Sequence, residues 1–118
     1  MEIRVGTDIL KHERIKAQVQ DPNDPFVAYT FSESERKQAA QSSNPLAYYA
    51  GRFCVKEAVI KALNGQAASV EPRQIETVSG QEGAPEVHLL DGLKGWTISA
   101  SISHEDEYSI ASVVAYRE

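Results

Sequence analysis

The sequence predicts an α+β fold in which an antiparallel sheet packs against one long helix and several shorter ones. Three observations carry that expectation. A helix with stop signals at both ends occupies the middle of the chain, helical patterns come mainly before it, and alternating strand patterns come mainly after it.

From the N-terminus, Ile3, Val5 and Thr7 alternate with Arg4, Gly6 and Asp8, the period of a half-buried strand ending at an acidic residue. From Ile9 the apolar residues Ile9, Leu10, Ile15 and Val19 fall near helical spacing, with Lys11, Arg14 and Lys16 on other faces, which predicts a short helix with a basic side. Asp21-Pro22-Asn23-Asp24-Pro25 reads as a loop, because its prolines remove donors and bias the preceding residues toward extended conformations. Ser32 with Glu35 is a capping-box spacing that starts a short polar helix ending near Gln41-Ser42-Ser43. Asn44-Pro45 supplies an N-cap followed by proline, and Asn64-Gly65 a C-terminal stop, so the long helix runs from Pro45 to Leu63. Gln74 to Ser79 and Glu86 to Leu90 read as short strands around the turn-rich stretch from Gly80 to Pro85. Trp96, Ile98, Ala100 and Ile102 alternate with Thr97, Ser99, Ser101 and Ser103 up to His104. After Glu105-Asp106-Glu107, the residues Tyr108, Ile110, Val113, Val114 and Tyr116 form a strand close enough to pair with it as a hairpin.

A chain of 118 residues, 42% hydrophobic and 25% charged, fits one globular domain spanning residues 1–118. Twelve Lys and Arg against seventeen Asp and Glu give a net charge of −5, which argues against a nucleic-acid binder and leaves room only for a local basic patch. Cys54 is the only cysteine, so neither an intrachain disulfide nor a Cys-x-x-Cys site is available. Met1-Glu2-Ile3-Arg4 does not resemble the start of a signal peptide, and no stretch approaches the ~20 apolar residues of a membrane helix. A cytoplasmic protein with no membrane partner is expected.

On a helical wheel at about 100° per residue, Phe53, Tyr49, Ile60, Ala50 and Cys54 cluster round Leu46, and Glu57 falls near the middle of that apolar arc. A carboxylate there calls for a cation, a proton or a metal beside it. Lys61, one turn on, offers an ordinary salt bridge as the simple explanation. Asp8 can likewise be a strand-ending or capping aspartate. If the first strand packs beside the long helix, both carboxylates face one cleft, and an oxygen-ligated cation such as Mg²⁺ becomes a candidate. Cys54 reads as a buried structural thiol, His12 and His88 as surface residues, and Trp96 as core.

The string Ala50-Gly51-Arg52-Phe53-Cys54-Val55-Lys56-Glu57-Ala58-Val59-Ile60-Lys61-Ala62-Leu63 resembles the signature helix of the holo-acyl-carrier-protein synthases, the small single-domain 4′-phosphopantetheinyl transferases. Gly6-Thr7-Asp8-Ile9 resembles that family's first motif, and Ser101-Ile102-Ser103-His104 with the following Tyr-containing strand resembles its last. The three motifs span the chain in the family's order.

The resemblance implies the family's fold and its reaction: transfer of the 4′-phosphopantetheine arm of coenzyme A to a serine of an apo acyl carrier protein, releasing adenosine 3′,5′-bisphosphate. It implies Mg²⁺ held by Asp8 and Glu57, with Lys61 reaching the diphosphate. It further implies Arg52 and His104 on the 3′-phosphate, and the loop around Gly83 and Pro85 against the adenine. The serine proton would pass to a metal-polarised water or a carboxylate. A homotrimer with sites at subunit interfaces is implied, as is carrier docking on a basic first helix, here Lys11, Arg14 and Lys16. The service would be to fatty acid, polyketide or peptide synthesis. Where family members often carry further basic residues, this chain has Asp21, Asp24, Glu33 and Glu35, then Ser42-Ser43-Asn44, which bears on the choice of carrier. A catalytically silent module that binds coenzyme A or a carrier is the rival expectation, and the presence of Asp8, Glu57 and Lys61 argues against it.

Overall fold

Local capping sets the ends of the helices. The Asn44 side chain accepts from the Ala47 amide, Pro45 opens the helix, and Asn64 closes it in the left-handed region at φ 44°. The long helix therefore spans Pro45–Leu63, as its flanking residues predict. The Ser32–Glu35 capping box is formed in both directions and starts the helix Glu33–Gln41.

The computed structural model describes residues 1–66, 70–90, 93 and 95–118. Strand β1 (Glu2–Lys11) leads through a 3-10 turn at His12–Arg14 into α1 (Lys16–Gln20), α2 (Pro25–Thr30), α3 (Glu33–Gln41) and α4 (Pro45–Leu63). The hairpin β2 (Ile75–Ser79) and β3 (Pro85–Leu89) follows, then the hairpin β4 (Thr97–Glu105) and β5 (Tyr108–Arg117). One antiparallel sheet has the order β1-β5-β4, and β2-β3 forms a second. The register places Asp8 opposite Ala111 and Ala111 opposite Ile102; in the next inward-facing row Leu10, Ser109 and His104 align.

Helix α4 lies across one face of the three-stranded sheet and joins the two sheets in one core with Val55, Val59, Leu63, Ile75, Ala111 and Val113. Two glycines allow the close approach. A β carbon on Gly6 would overlap the Ala58 carbonyl, and one on Gly51 would lie 2.9 Å from His104 Cε1. Among the described residues no helix is long and apolar enough to cross a membrane.

Four expectations are corrected. Ile9 to Lys11 continues β1 instead of starting a helix, because each residue there pairs with β5, so Lys11, Arg14 and Lys16 fall on a strand end, a 3-10 turn and α1. Pro25 starts a short helix in place of a loop, since Asp24 caps it by accepting from the Phe26 amide. The apolar side of β1 faces outward: Ile3, Val5 and Ile9 are exposed, while Arg4, Gly6 and Asp8 face α4. Finally, the wheel of α4 is centred wrongly. Leu46, Phe53, Glu57 and Ile60 are only partly buried, and the fully covered side carries Val55, Ala58, Val59 and Leu63.

A candidate active site at the seam of β1 and α4

The wheel singled out Glu57 as the charge in an apolar place, but the charge that the fold buries is its neighbour. Lys56 is 1% exposed, and its ammonium donates to both oxygens of the fully buried Glu35 at 2.9 and 2.8 Å. It also donates to the Pro72 carbonyl at 3.0 Å and the Ile75 carbonyl at 2.7 Å, while Glu35 accepts from the Thr77 amide at 2.7 Å. Burial pushes the Lys56 ammonium down and the Glu35 charge opposes it, so the pair is held by its own attraction and by these hydrogen bonds. It ties α3 and α4 to β2. Glu35 therefore adds nothing to the acidic surface that the sequence suggested. The only sequence signal for the pair is the capping box, which explains Glu35 locally and hides its second partner.

Glu57, half-buried on α4, stands beside Asp8 at the inner edge of β1. Lys61 does not pair with Glu57. Its ammonium reaches across to Asp8 Oδ1 at 2.9 Å and to the Thr7 carbonyl at 3.2 Å. The hydrogen bond it donates to Asp8, and then the Asp8 charge, hold the Lys61 ammonium above its ordinary range. Burial, with the Asp8 charge adding, raises the Glu57 carboxyl. Beneath them the Cys54 thiol is fully buried and pushed up to about 12, first by burial and then by Asp8, so it stays protonated and inert, as expected.

Two carboxylates, only one of them neutralised, suit a hard cation that takes one or two carboxylates and fills its octahedron with water and phosphate oxygens. Glu57 in particular is a carboxylate whose charge the fold leaves partly uncompensated. Among the described residues no three His, Cys, Asp or Glu side chains converge, so the pair is open to ligands from outside the chain. The donor set fits Mg²⁺.

The remaining predicted residues lie elsewhere on the chain. Arg52 points to β2, donating through Nε to the Thr77 carbonyl at 3.3 Å and through Nη2 to Ser79 Oγ at 2.8 Å, with its guanidinium 4.0 Å from the centre of the Tyr48 ring. It thereby holds the strand that leads into the 80–85 turn, where Gly83 adopts φ 78° and Pro85 opens β3. His104 stands at the end of β4, with β5 and α4 between it and Asp8. Two strand spacings across the sheet and two residues along it separate them by about 12 Å. One chain thus presents two groups of residues on opposite flanks of α4: Asp8, Glu57 and Lys61 on one, His104 and Arg52 on the other. Lys11, Arg14 and Lys16 are all exposed.

The description of the family whose model matches, over residues 4–113, is the 4′-phosphopantetheinyl transferase superfamily. The chain belongs to that superfamily. It is 39% identical to a holo-[acyl-carrier-protein] synthase of Leptospira biflexa, covering 98% of each chain. It is 40% identical to one of Thermodesulfovibrio yellowstonii, covering 93% of this chain and 95% of the relative. The fold matches the crystal structure of the Helicobacter pylori holo-[acyl-carrier-protein] synthase in complex with coenzyme A, with a TM-score of 0.81 at 29% identity, covering 95% and 99% of the two chains. The predicted α+β class and the suspected family are both correct.

Two expectations about histidine part company. His88 is exposed beside Glu76 and Glu86, as expected. His12, expected at the surface, is 7% exposed, because the 3-10 turn after β1 folds it in against Ser109. No feature of the local sequence marks that contact, since the two residues are ninety-seven positions apart.

Proposed function

We propose that this phosphopantetheinyl transferase moves the 4′-phosphopantetheine arm of coenzyme A to a serine of an apo acyl carrier protein, leaving adenosine 3′,5′-bisphosphate. The observation that carries this is the Asp8, Glu57 and Lys61 cluster at the seam of β1 and α4, in a chain 39% and 40% identical over 98% and 93% of its length to two holo-[acyl-carrier-protein] synthases.

Asp8 and Glu57 would hold Mg²⁺. When bound, the ion supplies positive charge to the diphosphate of coenzyme A, where negative charge develops during transfer. The Lys61 ammonium, kept protonated by Asp8 and exposed to solvent, would donate to the diphosphate and to the departing phosphate. Phosphoryl transfer asks chiefly for positioning and charge, so these groups suffice once the carrier serine is docked. Arg52 and His104 bind the 3′-phosphate, and the turn around Gly83 and Pro85 lies against the adenine. Arg52 already holds the root of that turn through Thr77 and Ser79. Exposed Lys11, Arg14 and Lys16 give the acidic chain a local cationic surface for an acidic carrier.

The active unit is a homotrimer. Two features support this: the separation of the two groups of residues across α4, and the outward apolar face of Ile3, Val5 and Ile9 on β1 with Ile110, Val114 and Tyr116 on β5. Such a face on a small domain marks an interface. Residues 1–118 act as one domain, in the cytoplasm, where the lone Cys54 stays reduced, and they serve fatty acid or polyketide synthesis.

Calorimetric titration with coenzyme A tests this. Binding should be strengthened by Mg²⁺ in the natural chain and should lose that dependence in Asp8→Ala and Glu57→Ala. Absence of coenzyme A binding, with or without Mg²⁺, would overturn the proposal.

A further inference from the structure

His12 and His104 sit on either side of one buried hydroxyl. Ser109 is fully buried, and its Oγ lies 2.8 Å from His12 Nε2 and 2.6 Å from His104 Nδ1. The two rings are 6.4 Å apart, edge to face. The register fixes this arrangement: Ser109 on β5 is opposite His104 on β4, and the His12 amide donates to the Glu107 carbonyl at 2.8 Å, anchoring the turn above them.

A serine hydroxyl has one proton to give, so the chain of three groups can be ordered in only two ways. In one, His12 Nε2–H donates to Ser109, which donates to His104 Nδ1; His104 then carries its proton on Nε2. In the other, His104 Nδ1–H donates to Ser109, which donates to a bare His12 Nε2. A proton added to His12 enforces the first order, and a proton added to His104 enforces the second. In both singly protonated forms His104 Nε2 bears a hydrogen, while the doubly protonated form has two donors facing one hydroxyl that can then donate to neither ring. We propose that His12 is a positioning residue that acts through Ser109 on His104, so that the pair takes up one proton and always turns an N–H of His104 toward the 3′-phosphate of coenzyme A. This rests on the assignment of His104 to the 3′-phosphate made above.

The surroundings suit such a pair. Glu105 and Asp106 line the same hollow of about 310 Å³ as His12 and His104, and Arg52 acts on His104 from α4. Cys54 donates its thiol proton to the Ser109 carbonyl at 3.4 Å and so leaves the Ser109 hydroxyl to the two rings. Burial, followed by the His12 and Arg52 charges, holds the His104 imidazole below its ordinary range. A phosphate dianion placed against His104 opposes that shift and favours uptake of the proton.

The test compares KM for coenzyme A with KM for 3′-dephospho-coenzyme A, a probe that lacks only the phosphate in question. In Ser109→Ala and His12→Leu, KM for coenzyme A should rise about tenfold, the worth of one charge-assisted hydrogen bond. KM for the dephospho probe should stay as it was, and His12→Gln, whose amide can still donate to Ser109, should restore most of the difference at pH 7. In the natural enzyme KM for coenzyme A should rise with pH with the slope of one proton. An equal rise for both probes, or no rise for either, overturns the role of His12. His104→Ala separates this from the underlying assignment: if it leaves the discrimination between the probes intact, His104 does not bind the 3′-phosphate, and the proposal falls with it. If Ser109→Ala does not fold, the His12→Leu and His12→Gln pair makes the same comparison.

Discussion

Gly6 on β1 passes so closely beneath Ala58 on α4 that a β carbon there would overlap the Ala58 carbonyl oxygen. That contact sets how near Asp8, two residues along the same face of the strand, comes to Glu57 and Lys61. Gly6→Ala should therefore push the strand from the helix, costing about 1–3 kcal/mol as overpacking does. Turnover should fall by more than the unfolded fraction accounts for. Urea denaturation and steady-state kinetics on the same preparation check both.

Removing one member of the buried Lys56–Glu35 pair should be costly, because it strands a charge that water cannot reach. Lys56→Met is expected to lose about 3–5 kcal/mol, and the double variant Lys56→Met with Glu35→Leu should recover a large part of it. Urea midpoints of the two singles and the double, read as a cycle, measure the coupling.

The Glu57 carboxyl is held above its ordinary range, first by burial and then by Asp8. A raised carboxyl pKa means that the folded state binds the proton more tightly than the unfolded state. The ionised form therefore costs stability above the folded pKa, and the cost disappears below the unfolded value. In metal-free buffer at neutral pH, Glu57→Gln should melt at a higher temperature than the natural chain, and the two curves should meet as pH falls below the carboxylate range. Added Mg²⁺ should raise the melting temperature of the natural chain and leave that of Glu57→Gln almost unchanged.

The outward face of the sheet exposes Val5 by 72% and Ile3 by 62%, beside Ile110 and Val114 of β5. Val5→Glu places a charge in the middle of it. Sedimentation should show a trimer for the natural chain and a smaller species for this variant, with turnover lost alongside assembly.

What the sequence reveals and what it hides divide along physical lines. The ends of α4, the capping box at Ser32 and the two hairpins depend on residues a few positions apart, and all are legible. Asp8 and Lys61 are legible as chemistry, but their ion pair is not, because it joins residues fifty-three positions apart. Alternation in β1 distinguishes two faces without saying which is covered, and here the more apolar one faces outward. For α4 the wheel fails because the helix meets both sheets and α3, so most of its circumference is covered and no single stripe marks the inside. His12 reads as a surface residue and Lys56 carries no mark of burial for a related reason: their partners, Ser109 and Glu35, come from distant segments.

The central claim is that Asp8 and Glu57 make this chain a metal-assisted phosphopantetheinyl transferase, and the mass of an apo acyl carrier protein incubated with the enzyme, coenzyme A and Mg²⁺ tests it most directly. The carrier should gain one phosphopantetheine on its serine, with adenosine 3′,5′-bisphosphate released in equal amount. Asp8→Ala should slow that gain by about a hundredfold or more, the usual loss when a group stabilising transition-state charge is removed. A carrier left unmodified by the natural chain, or modified at the same rate by Asp8→Ala, would contradict the account.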